Sequence, residues 1–209
     1  MSGRSPRWIS AKWGTTLGDL AEGDIVKLNE SGSPVEFLVA KHNYEPVLNG
    51  FGRTLLVRNE AHSSRAFNSD KAQSRYAGSD LDTWLINTYI KTLDQSIQAL
   101  AGGTNIYATM SRNDGSNIEI ITRSVFILSA IEWGCTPSEY SIVDGTLIPT
   151  TKGLYGGIQW TRSRMGESNS VWTQKNKGFQ VLSVSGEYRV RQALALASSI
   201  PVSAENLIV

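Results

Sequence analysis

A mixed α+β domain, with two helices packed on antiparallel sheet, is predicted by three features of the 209-residue chain. Leu81, Trp84, Leu85, Thr88, Tyr89 and Thr92 recur at helical spacing and draw one face. Short β-branched or alternating runs lie on both sides of that stretch. Gly-containing polar turns separate the runs, as between the strands of hairpins and meanders.

Residues 1–17 hold Pro6, Trp8 and Trp13 with little period and read as an N-terminal arm. Ile25–Asn29 and Val35–Lys41 are strands, with Ser31-Gly32-Ser33 closing a hairpin between them. Arg53–Arg58 is a third strand, because its apolar run is too short for a helix. In the helical region Ser79 stands three residues before Asp82, a capping arrangement with Asp in place of the better Glu. A second helix covers Leu93–Leu100 and stops at Gly102-Gly103. Ile106–Met110, Ile118–Thr122 and Val125–Ala130 read as strands, with a turn at Asp114-Gly115. Ile131–Gly157, carrying five glycines, reads as irregular surface. Ile158–Arg162, Ser170–Thr173, Phe179–Val184 and Glu187–Leu196 form an antiparallel meander, and Ser198–Val209 a tail or docking peptide. The expected organisation is an arm over 1–17, one α+β domain over 18–197 and a tail over 198–209.

Composition narrows the function classes. One Cys excludes a disulfide framework within the chain and any multi-Cys zinc site. A net charge of +1 argues against non-specific binding to nucleic acid. Charged residues make up only 19% and Ser, Thr and Asn are abundant, a surface common among extracellular and virion proteins. No apolar stretch follows the basic start, so no secretory signal is expected. The longest apolar run is Val125–Leu128, far short of the ~20 residues of a spanning helix. The expectation is a chain made in a host cytoplasm that inserts in no membrane.

Catalytic and metal patterns are sparse. Cys135 with His42 or His62 is the one formal nucleophile–base pairing. A small buried hydrophobe and two structural or exposed histidines is the favoured reading. The glycines of 14–23 and 153–157 lack the spacing of phosphate-binding loops. Asn113-Asp114-Gly115-Ser116-Asn117 offers oxygen ligands but no EF-hand spacing, so a solvated turn is favoured over a cation site. No cofactor and no metal are expected. The remaining signal is aromatic and cationic. Arg162, Arg164, Asn169, Trp172, Lys175 and Tyr188 fall in the last 50 residues on short strands and loops, in the mixture that protein and sugar interfaces use. They are the candidate ligand- or partner-binding residues, whereas Trp160 and Phe179 are expected in the core.

Residues 158–163 (IQWTRS) and 189–196 (RVRQALAL) resemble the closing strands of C-type-lectin-like domains of the type seen in the formylglycine-generating-enzyme group, with Gln192 where Pro is usual. GDIVKL at 23–28, VEFLV at 35–39, KHNY at 41–44, GRTLLV at 52–57, SDLDTWL at 79–85 and VFILSA at 125–130 resemble an uncharacterised family found in bacterial genomes and phage structural-gene regions. The resemblance implies two helices flanking twisted antiparallel sheets with long displayed loops. The enzymes of that group depend on paired cysteines, which this chain lacks, and the calcium-binding loops of sugar-binding lectins have no counterpart in it. What the resemblance implies is a non-enzymatic virion component, a tail or capsid accessory protein. The alternative is a host-surface module that binds a receptor or glycan. The partners expected are other virion proteins, a host receptor or glycan, and further copies of the chain; no nucleic acid is expected. On this reading the two arms dock on neighbouring subunits and residues 163–178 face outward.

Overall fold

The computed structural model describes residues 14–71, 73–110, 118–136, 143–154, 156–165, 169–176 and 178–208. Residues 1–13 and the Asp114-Gly115 turn lie outside them. The fold is mixed α+β, dominated by sheet, with few and short helices.

The first strands form where the sequence alternates. β1 (Ile25–Glu30) and β2 (Ser33–His42) pair from Ile25↔Leu38 to Glu30↔Ser33. The turn between them places Ser31 at φ 53° and Gly32 at φ 79°. Two successive left-handed residues match the twist of a two-residue hairpin. β3 (Arg53–Arg58) pairs with β2, and β11 (Ala193–Ala197) pairs with β3, giving an antiparallel sheet in the order β1-β2-β3-β11. Leu55, Leu56 and Val57 of β3 are fully buried, so it is a central strand covered on both faces.

α1 is the turn Pro46–Asn49, and α2 spans Asp80–Asn87 with the Ser79 hydroxyl accepting from the Asp82 backbone N–H at 3.1 Å. The long helical face is divided. α2 ends at Thr88, whose N–H still donates to the Trp84 carbonyl, and Tyr89–Thr92 continues as a 3-10 turn. Leu81, Leu85 and Tyr89 are nevertheless all buried, as their spacing requires. α3 spans Gln95–Leu100.

A second sheet has the order β4-β10-β7-β8-β9, from Ser63–Ala66, Glu187–Val190, Ile158–Met165, Ser170–Lys175 and Gly178–Ser183. β7, β8 and β9 form the expected meander, and β10 joins β7 in parallel. β5 (Thr104–Thr109) and β6 (Ile118–Arg123) form a separate hairpin.

Several expectations need correction. Val125–Ala130 is not a strand. Phe126 forms an isolated bridge, exchanging both hydrogen bonds with Ala193, and the Leu128 carbonyl accepts from the Arg162 N–H at 3.0 Å, but no continuous ladder forms. Ser129 and Glu132 then form a reciprocal capping box that starts α4 (Ala130–Trp133). Ile131–Gly157 is irregular but only in part surface, since Glu132, Trp133, Asp144, Ile148, Thr151 and Leu154 are buried. Glu187–Leu196 is two strands in two sheets, which change over at Arg191-Gln192. Residues 198–208 are no free tail. Ile200, Val202 and Ile208 are buried, and backbone bonds tie the segment to Thr15, Leu17, Gly18 and Lys27. It straps its own domain.

Candidate interaction site

The six residues singled out by composition do not converge. Arg162 lies inside the protein with no exposure. Its Nη1 donates to Glu132 Oε2 at 2.6 Å and its Nη2 to Glu132 Oε1 at 2.8 Å. The other donations reach the carbonyls of Tyr107, Ile127 and Asp144 at 2.6, 2.8 and 3.2 Å. Every N–H of the guanidinium is thereby used. This corrects the expectation of Arg162 as a surface contact: a cation so enclosed has nothing left for a ligand.

Trp172 and Tyr188 stand on opposite faces of the second sheet. Tyr188 packs edge-on to Trp160 with ring centres 4.9 Å apart. Trp160 pairs with Thr173, so Trp172 points the other way, onto the small cluster of Ala130, Ile131 and Cys135. Arg164 and Asn169 lie at one end of the β7–β8 hairpin, where Arg164 Nη1 donates to the Met110 carbonyl at 3.3 Å. Lys175 is exposed at the other end, roughly 20 Å away along the strand. Residues 166–168 and 177 of the outward-facing segment lie outside the described residues. Trp160 and Phe179 pack in or against the core as expected.

The acid–base candidates hold the fold together. The His42 ring meets Thr54 Oγ1 at 2.9 Å and the Leu20 carbonyl at 2.8 Å. His62, expected in a polar loop, immediately precedes edge strand β4 and lies between Trp84, Tyr89 and Glu30. Desolvation holds its ring below the ordinary imidazole range, against the pull of Glu30. Cys135 is buried beside α4. Among the described residues no cluster of three or more His, Cys, Asp or Glu could hold a metal ion.

The arrangement that does present chemistry outward is the loop over residues 43–52. It is anchored in the core by Tyr44, which is fully buried, stacks on Phe126 at 5.8 Å and donates to Glu132 Oε1 at 2.6 Å. Burial first, and the Glu132 charge second, hold the Tyr44 hydroxyl well above the usual phenol range, so it stays a donor. The next residue, Glu45, is buried and sits at φ 44°, ψ 65°. That left-handed conformation costs a side chain other than Gly about 1 kcal/mol. It is held by Thr146, whose N–H donates to Glu45 Oε1 at 3.1 Å. Asn49 and Asn105 then exchange two bonds: Asn49 Nδ2 donates to the Asn105 carbonyl at 2.9 Å, and the Asn105 N–H donates to Asn49 Oδ1 at 2.8 Å. Asn43 Oδ1 accepts from Gly52 N–H at 2.9 Å and closes the loop.

This scaffold holds two large apolar side chains in water. Val47 is 88% exposed and Phe51 is 84% exposed. A strained residue kept in place by its surroundings, in a loop that offers apolar groups to solvent, makes this loop the candidate interaction site. The sequence carried a signal for it. Phe51 lies between Gly50 and Gly52, and Val47 follows Pro46 in a single helical turn, so both apolar residues stand among turn formers with no longer element to bury them.

The family described as Domain of unknown function (DUF6273) matches residues 51–198, more than half of the chain. The match starts at Phe51, inside the displayed loop, and takes in both the WTRS and the RVRQALAL segments. No curated protein matches, and no solved structure matches.

Proposed function

The chain belongs to the DUF6273 family, and from that premise we propose that it is a non-enzymatic virion structural or accessory protein, a tail or capsid component. It presents a C-type-lectin-like scaffold, and the 43–52 loop is its contact surface. The observation that carries the reading is the display of Val47 and Phe51 on a loop stapled to the core at Tyr44, Glu45 and Asn49. Such rigidity lowers the ordering cost of association, and a buried aromatic anchor typically supplies 2 kcal/mol or more at an interface. The lectin-like element of the proposal rests on the WTRS and RVRQALAL segments. Both supply core cations: Arg162 to Glu132, and Arg191 to Gln159 Oε1 and the Arg58 and Leu154 carbonyls.

The test is particle incorporation of a Val47→Ser, Phe51→Ser chain expressed in place of the wild type in its native producer. The wild-type chain should co-sediment with particles. The double variant should keep its melting temperature and lose incorporation. Wild-type protein found wholly outside particles overturns the virion role, and a variant incorporated normally overturns the loop as the contact. The among-host-receptor alternative predicts a different loss, of adsorption by particles that still contain the variant.

A further inference from the structure

Asn49-Gly50 is the one Asn-Gly pair in the sequence, and it lies in the displayed loop, with Asn49 half-buried and Gly50 exposed. An Asn followed by Gly is the pair most open to deamidation, because glycine has no Cβ to keep its nitrogen from the preceding carboxamide. We propose that Asn49 is a modification site, a deamidation switch that the folded loop holds closed and that, once thrown, releases the loop from the core. The chemistry stands apart from the contact role of the loop; only its effect on association rests on that reading.

In the reaction the Gly50 nitrogen attacks Asn49 Cγ and forms the new C–N bond of a five-membered succinimide. The Cγ–Nδ2 bond breaks, and Nδ2 leaves as ammonia, taking the Gly50 amide proton. Water then opens the ring at either carbonyl and leaves aspartate or isoaspartate. In the fold both reacting groups are engaged elsewhere. The Gly50 N–H donates to the Pro46 carbonyl at 2.9 Å. Asn49 Nδ2 donates to the Asn105 carbonyl at 2.9 Å, and Oδ1 accepts from the Asn105 N–H at 2.8 Å. Asn49 is also helical, as the last residue of α1, and the planar ring cannot close from a helical backbone. Ring formation therefore waits for local opening of the loop. The product cannot restore the clamp. A carboxylate at position 49 has no proton to donate, so it sets a negative oxygen against the Asn105 carbonyl and leaves that acceptor unmatched. Isoaspartate also adds a methylene to the main chain between positions 49 and 50, one residue before Phe51.

The test follows the full chain in mildly alkaline buffer, folded and in urea, and reads the peptide carrying residues 49 and 50 by mass spectrometry. In urea Asn49 should be the first asparagine to gain the mass of an amide turned to acid. In the folded chain the same change should be at least about tenfold slower, as for a reaction gated by local opening. Glu45→Gly removes the Thr146 anchor and still allows the left-handed backbone, so it should bring the folded rate toward the unfolded one. Asn49→Asp stands in for the product. Its Gly50 and Asn105 amide protons should exchange with solvent at least about tenfold faster than in wild type, while the global melting transition persists. An Asn49 that stays intact in urea overturns the proposal. So do equal rates in the folded and unfolded chain, a Glu45→Gly chain modified no faster than wild type, or an Asn49→Asp chain whose Gly50 and Asn105 amides stay as protected as before. Normal particle incorporation of a chain whose loop is modified and loosened overturns the contact role of the loop and leaves the switch standing.

Discussion

Arg162 and Glu132 form a two-pronged ion pair with no solvent exposure on either side chain. The carboxylate is as fully used as the guanidinium, since Oε1 also accepts from Tyr44 and Oε2 from the Ser129 N–H. Burial would lower the Arg162 pKa, but the adjacent Glu132 and the hydrogen bonds to it outweigh that effect and hold the cation charged. The pair joins β7 to α4, to β5 through the Tyr107 carbonyl, and to the displayed loop through Tyr44.

Breaking such a pair strands a buried charge, which costs about 3–5 kcal/mol. Arg162→Met and Glu132→Gln should each lower stability by that amount in urea unfolding. The double variant should lose less than the sum, because neither charge is then left alone. Single variants that each cost under about 1 kcal/mol would show that the network carries little of the stability.

Gly145 should be intolerant of any side chain. A Cβ there would lie 2.8 Å from both Glu132 Cγ and Ser129 Oγ, the two residues of the capping box. Gly145→Ala must push Glu132 away from Arg162 or shift the backbone, at about 1–3 kcal/mol for overpacking. Measured stability equal to wild type would mean that the loop relaxes freely at this point.

These contacts explain which parts of the fold were legible in the sequence. β1, β2, β3, α2 and the β7–β9 meander follow from local pattern, because each buries an alternating or helical face next to a turn signal. β4 was missed because Ser63-Ser64-Arg65-Ala66 has no apolar alternation; it is an edge strand paired only with β10. Val125–Ala130 is as apolar as a central strand yet lies inside without a ladder, and Ser129 with Glu132 was the readable sign of the helix that follows. The binding residues were misplaced for a related reason. An Arg among strand residues reads as surface unless its counter-charge is visible, and Glu132 lies thirty positions away. The Val47–Phe51 display was readable only as two apolar residues with no longer element to bury them.

The C-terminal strap should be required for folding. Ile200, Val202 and Ile208 are buried, and the Leu17, Val202, Lys27 and Ile208 N–H groups all bond across the strap. The expectation of a docking tail separate from the 18–197 domain is therefore replaced. Ile200→Ala alone should cost about 2–5 kcal/mol in chemical denaturation, and removal of 198–209 should abolish the cooperative transition. A truncated chain that melts like the full one would mean that the strap only rests on the domain.

His62 should make the fold sensitive to mild acid. Glu30, Arg58 and Arg65 face its ring, together with Trp84 and Tyr89. Desolvation outweighs the Glu30 contact at 3.4 Å, so the folded protein releases the ring proton more readily than the unfolded chain. With the folded value depressed, the unfolded state binds more protons as pH drops below the ordinary imidazole value of 6.5, and stability declines with it. Above that range the ring is neutral in both states and contributes no slope. Urea midpoints measured from pH 7.5 down to pH 5.5 should therefore fall for wild type, and fall less steeply for His62→Gln, which keeps a polar group beside Glu30 without the titration. Equal slopes for the two proteins would place the acid sensitivity elsewhere, and a wild-type midpoint that rises on acidification would mean that the Glu30 ion pair dominates the ring instead of its burial.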